Sequence, residues 1–135
     1  MASINDVCAR VVKDVDGALA CGVVDLNTGL MLGVAHSIPY FTQTYLDAVA
    51  AGAVDMFRGR GISAVEELLS SVRGTKLEKS VQEMQMTTTS TFHFMSVCPD
   101  KRDVLVVLIT NKKTNMGMGW AALRRELPIL AKMCP

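Results

Sequence analysis

Two short runs that are apolar at every position constrain the fold of this chain more than anything else in it. One is Ala18–Val24 (ALACGVV), near the start, and the other is Val104–Ile109 (VLVVLI), near the end. Neither approaches the roughly 18 residues of a membrane-spanning helix. Each has the length of a strand, and a strand without a polar face must be covered on both sides. The pair therefore demands the centre of one sheet, with helices packed above and below it.

Weaker signals fill in the order around them. Ser3 with Asp6 three residues on is a capping-box-like start, and Ile4, Val7, Cys8, Val11 and Val15 follow as a helical stripe. Gly17 is placed to end that helix as a C-cap. After the first apolar strand, Asp25–Gly29 (DLNTG) has turn chemistry, and Leu30–Ala35 returns antiparallel. Pro39 opens a helix predicted over Tyr40–Arg58. At roughly 100° per residue, its apolar side chains, from Phe41 and Tyr45 through Ala50 to Met56 and Phe57, sweep an arc of about 200° broken only by Thr42. A helix on one sheet face needs an apolar stripe only a little wider than ~100°. This helix has a second face to bury, against its own domain or against a partner.

Gly59-Arg60-Gly61 breaks the pattern. Ser63 with Glu66 reads as another capping box, opening a short amphipathic helix at about 62–73 on Ile62, Val65, Leu68, Leu69 and Val72, with Gly74 at its end. Val81–Thr88 is half polar, the mark of an edge strand. Thr91–Val97 alternates, and Cys98–Asp103 reads as a turn into the second apolar run. After a polar loop over 111–115, the last helix shows Met116, Trp120, Leu123, Leu127 and Leu130 on one face, with Pro128 as a kink or a fraying end. The expected fold class is α/β (α+β), a single domain over 1–135 in the order α-ββ-α(α)-βββ-α. It predicts one five-stranded antiparallel sheet with its first and last strands adjacent. The terminal helices cover one face and the broad-arc helix the other.

At 135 residues, 50% hydrophobic and 20% charged, the chain can build one real core and is not disordered. A net charge of +1, from 14 basic and 13 acidic residues with no basic stripe, speaks against a nucleic-acid partner. The opening MASIND lacks the basic region and apolar run of a secretory signal. Cys8, Cys21, Cys98 and Cys134 form no C-x-x-C pair and read as reduced thiols, which gives a cytoplasmic expectation with no membrane span. His36 and His93 add no zinc-ligand spacing.

Candidate chemistry is thin. The glycine-bearing stretch Asp16–Val34 (DGALACGVVDLNTGLMLGV) has no G-x-x-x-x-G-K-[ST], and a strand rather than a helix follows its glycines. Gly22 and Gly33 are read as close-packing positions under a helix. Cys8 and Cys21 fall among apolar residues and look inert. Cys98 begins a turn and is the thiol expected to be exposed, yet no histidine is near it and Asp100 does not activate a thiol. His93, between Phe92 and Phe94, reads as a surface or satisfied histidine. The nine methionines fall mostly on core stripes or on the edge strand. An enzyme using Cys98 or His93 is thus the weakest reading, and no catalytic residue, cofactor or metal is expected.

Three segments carry a resemblance to a known family. INDVCARVVKDVDGALACGVVDLNTGLMLG is similar to the opening of roadblock/dynein light-chain proteins, which have a longin-like, profilin-like fold. FTQTYLDAVAAGAVDMF looks like their small-residue-rich central helix. DVLVVLITNKKTNMGMGWAALRREL looks like their ending, with Asn115-Met116-Gly117 as the entry to the last helix. Arg60–Lys79 departs from the pattern, because a brief turn usually stands there.

The resemblance implies a non-enzymatic homodimer in which central helices pair and third strands meet. It also implies a scaffold or regulator of a Ras-like small GTPase, or a subunit of a motor or signalling complex. The residues expected at the partner interface are Tyr45, Leu46, Val49, Ala53, Met56, Phe57, Val81, Met84 and Met86. The broad arc and the half-polar edge strand agree with that expectation independently. The alternative is a small-ligand sensor on a profilin-like or PAS-like scaffold, whose pocket between sheet and helix would be lined by methionines and aromatics.

Overall fold

A computed structural model describes residues 2–135. Helix α1 (Ile4–Asp14) leads into strands β1 (Ala18–Asp25) and β2 (Met31–His36). Helices α2 (Gln43–Arg58) and α3 (Arg60–Arg73) come next, then β3 (Glu83–Thr87), β4 (Thr91–Cys98), β5 (Lys101–Asn111) and α4 (Met116–Met133). The five strands form one antiparallel sheet in the order β2-β1-β5-β4-β3. The two apolar runs, β1 and β5, lie side by side in its interior, as two-sided burial requires.

Each face of the sheet carries its own core. On one face α1 and α4 pack Val7, Cys8, Val11, Leu123, Leu127 and Leu130 over Cys21, Val23, Phe94, Val106 and Leu108. On the other, α2 packs Leu46, Ala50, Ala53 and Phe57 over Ala20, Val24, Met95, Leu105 and Val107. This is the layered arrangement expected from the sequence.

Local chemistry accounts for where the elements begin and end. The Ser3 hydroxyl accepts from the Asp6 N–H at 3.1 Å while the Asp6 carboxylate accepts from the Ser3 N–H at 2.9 Å, a complete capping box. α1 stops at Val15, and Gly17, two residues later, takes the left-handed turn (φ +85°) that launches β1. Gly29 (φ +75°) closes the β1–β2 turn as expected. Asn115 caps α4 by accepting from the Met118 N–H at 3.0 Å, and α4 runs on through Pro128 without ending.

Four expectations shift. α2 begins at Gln43 rather than Tyr40, because Thr42 accepts from the Tyr45 N–H at 3.2 Å. The one polar break in the apolar arc is therefore the helix cap. α3 begins at Arg60 rather than beside Ser63, so Ser63 caps nothing and only Gly59 interrupts the helices. A Cβ on Gly59 would lie 2.2 Å from the Asp55 carbonyl oxygen, so this joint admits no side chain. Gly33 does pack under a helix, its missing Cβ falling 2.3 Å from Cγ2 of Ile4, but Gly22 faces the Met31 side chain of β2 instead. The turn expected over Cys98–Asp103 shrinks to Pro99-Asp100, because β4 and β5 extend their pairing to Cys98 and Lys101.

Candidate functional site

α2 presents two apolar stripes, one residue out of step. Leu46, Ala50, Ala53 and Phe57 recur at helical spacing and are buried in the domain's own core. Tyr45, Val49, Gly52 and Met56 recur at the same spacing, turned by ~100° around the axis, and keep part of their surface open. The second stripe overlooks a groove of about 180 Å³, whose floor is Met86 of β3 with His93 and Met95 of β4.

Of the expected interface residues, Leu46, Ala53 and Phe57 are thus consumed internally, with Phe57 and Ala53 at 0% and 1% exposure. They hold α2 to the sheet, and of the three only Ala53 also reaches the groove. Tyr45, Val49, Met56, Val81, Met84 and Met86 keep part of their surface open; Val49, Met56 and Met86 line the groove, whereas Val81 lines a cleft beside α4.

The two sheet edges differ. β3 pairs with β4 through Val97 N–H to the Gln82 carbonyl and Thr88 N–H to the Thr91 carbonyl. Antiparallel alternation then points the backbone N–H and C=O of Glu83, Gln85 and Thr87 away from the sheet. The stretch contains no proline, and its one charge, Glu83, is held by Arg124 in a two-pronged pair at 2.8 and 3.0 Å. At β2 the outward Val34 N–H is taken by Oδ1 of Asn5 at 2.9 Å, with Ile4 of α1 seated over Gly33. A bulge at Val23/Val24 irregularises the same pairing. α1 thus covers the β2 edge at its middle and leaves β3 as the strand able to pair.

His93 sits on the groove floor with Nε2 3.0 Å from the Thr91 hydroxyl, and burial lowers its pKa from the ordinary 6.5. Cys98 is fully buried rather than exposed, because β4 extends to it and its thiol faces the Leu127 carbonyl of α4 at 3.7 Å. Burial first, with nearby Cys134 and Asp100, pushes its pKa up to about 12, so it is no thiolate nucleophile. The Cys21 thiol is pushed up by its contact with Cys8 and by burial. Among the described residues no group of His, Cys, Asp and Glu is placed to hold a metal ion, and no helix is long and apolar enough to cross a membrane.

Space for a small ligand is limited: the methionine-lined groove between α2 and the sheet, at about 180 Å³, is smaller than the ~300–1,000 Å³ of a ligand pocket. Between α2 and β1/β2 the gap is about 20 Å³, room for a water at most. The roomier cleft, about 410 Å³, lies beside α4 and is lined by Lys79, Glu83, Arg102 and Arg124 rather than by methionines and aromatics. Its cations are already engaged. Arg124 holds Glu83, Lys79 pairs with Asp103 at 3.0 Å, and Arg102 donates to the carbonyls of Glu78 and Lys79.

This sheet order, with one open edge and a half-covered central helix, defines a roadblock/LC7 fold, and solved structures bear the class out. MglB of Myxococcus xanthus superposes with a TM-score of 0.69 at 19% identity, covering 96% of this chain and 93% of that one. The gliding protein MglB of Thermus thermophilus gives 0.68 at 17%, over 95% and 85%. A Roadblock/LC7 domain from Streptomyces avermitilis gives 0.64 at 15%, over 96% and 99%. At these identities the likeness is one of fold. No family model matches the chain, and no curated protein matches it.

Proposed function

We propose that this chain is a roadblock-type interaction module that works as a homodimer in the cytoplasm and makes no covalent chemistry of its own. In this reading the β3 edges of two copies pair, and the stripes Tyr45–Val49–Gly52–Met56 fill each other's grooves. One observation carries it: the apolar groove beside α2 borders the sheet edge that α1 leaves open. A two-fold contact uses the same patch twice, so a strand edge and a neighbouring helix stripe suffice to make it self-complementary.

The paired module serves as a platform for a Ras-like small GTPase, or as a subunit of a motor or signalling complex, as the family resemblance implies. Any effect on GTP hydrolysis would come from ordering the GTPase's own residues, and no arginine finger is assigned. A structural neighbour described as a gliding protein makes a motility complex the setting in which to look first.

Light scattering on the wild type and on Val49→Glu tests the pairing. The wild type is expected to be a dimer at micromolar concentration and the variant a folded monomer. A wild-type monomer would sink the reading. Co-purification with and without GTP then tests for the GTPase.

A further inference from the structure

α3 turns its polar side inward and its apolar side out. The Glu66 carboxylate is buried and accepts from both the N–H and the hydroxyl of Ser80 at 2.6 Å. The Ser70 hydroxyl accepts from the Leu77 N–H and donates to the Glu66 carbonyl, both at 2.7 Å. These bonds fix the helix to the segment that follows it and use none of its large apolar side chains. Val65 is 54% exposed, Leu68 68%, Leu69 42% and Val72 78%.

Resting on the two-fold pairing proposed above, we infer that α3 is an arm of the same interface, its apolar stripe packing against a helix of the second copy. Three observations point to a twin rather than another occupant. Ile62, Val65, Leu69 and Val72 stand three, four and three residues apart, the seam by which one helix packs on one other, and Leu68 widens it. The seam holds no charge. The helix carries Arg60 and Arg73 against Glu66 and Glu67, so it lacks the basic face that draws an amphipathic helix onto anionic lipid.

The third observation is continuity. α3 is jointed to α2 at Gly59, three residues after Met56 of the half-open stripe. Its anchor, Ser80, leads three residues later into β3 at Glu83. α3 is therefore tied in the chain, at its two ends, to both parts of the proposed contact. α3 would add its apolar stripe to a contact whose strand part is five residues long.

The test is sedimentation equilibrium of the full chain as wild type, as Leu68→Glu/Val72→Glu, as the milder Leu68→Ala, and as Val49→Glu. The double variant should raise the dimer dissociation constant at least tenfold, and Leu68→Ala should raise it less, with both keeping the wild-type circular dichroism spectrum. An unchanged constant in both α3 variants, while Val49→Glu dissociates the dimer, overturns the arm and leaves the pairing standing. A monomeric wild type removes the pairing and the arm together. Wild-type binding to phosphatidylserine vesicles that the double variant loses, with its dimer constant unchanged, assigns the stripe to lipid and also overturns the arm.

Discussion

His93 is a neutral base kept under a half-open roof, and its position carries a pH dependence with a definite sign. Burial lowers its folded pKa below the ordinary 6.5, so the unfolded chain binds a proton that the fold refuses. Stability is therefore full above 6.5 and falls as the pH drops through it, levelling only below the folded value. Cys98 acts on the alkaline side. Its thiol keeps a proton up to about 12 in the fold but loses it near 9.0 when unfolded, so stability falls as the pH rises across that window. Urea midpoints measured from pH 5 to pH 10 should show both slopes, and His93→Gln should flatten the acid one. A proton-independent acid limb would show that His93 is solvated. At this scale the sequence was a partial guide. A lone histidine between two phenylalanines gives its strand face by parity, but not the helix above it. The burial of Cys98 depends on how far β4 pairs with β5, and a Pro-Asp turn disguised that extension. The stopper role of Asn5 left no local signal, because its partner Val34 is distant in the chain.

Elements were legible where one physical demand governed them. β1 and β5 announced themselves because central strands tolerate no polar residue, and α1 and α4 because their caps and stripes agree. α2 was half legible. Its 200° arc showed that two surfaces must be covered, but periodicity could not say which stripe the sheet would take. The sheet took the one containing Phe57 and left Tyr45, with its phenolic hydroxyl, on the open stripe. α3 was legible as a helix and misleading as to its face, since an apolar stripe ordinarily points home. Two polar anchors, the buried Glu66 and the half-buried Ser70, reversed it. The seating of α4 on β4 is set by Gly119, where a Cβ would fall 2.8 Å from the Phe94 ring. Trp120 meets the same ring edge-on at 5.4 Å, so the ring has little freedom to withdraw. Gly119→Ala should destabilise the fold by about 1–3 kcal/mol through overpacking, read as a lowered urea midpoint with unchanged slope. A neutral outcome would mean that α4 can lift.

At the scale of the whole molecule, ion pairs join the two ends of the chain on a single face: an exposed one, Arg125 with Asp14 at 3.5 Å, and a buried one. Arg10 of α1 donates to Glu126 of α4 at 2.7 and 3.1 Å, and the Glu126 side chain is nearly sealed from solvent. Arg10→Ala should lower stability more than Arg10→Ala/Glu126→Met, because the single change leaves a buried carboxylate with only Arg125 at 3.7 Å and the double one removes it. Denaturant unfolding of the two variants checks the order, and the reverse order would show that water reaches Glu126. The same terminal helix also decides how the molecule can grow. A sheet with two usable edges has a valence of two and can add copies without end, as a fibril does. Here the Asn5 side chain occupies the middle of one edge, so each chain offers a single joining end. In the pairing proposed above, the meeting of two such ends would leave no strand edge to extend, and assembly through strands would terminate at a pair.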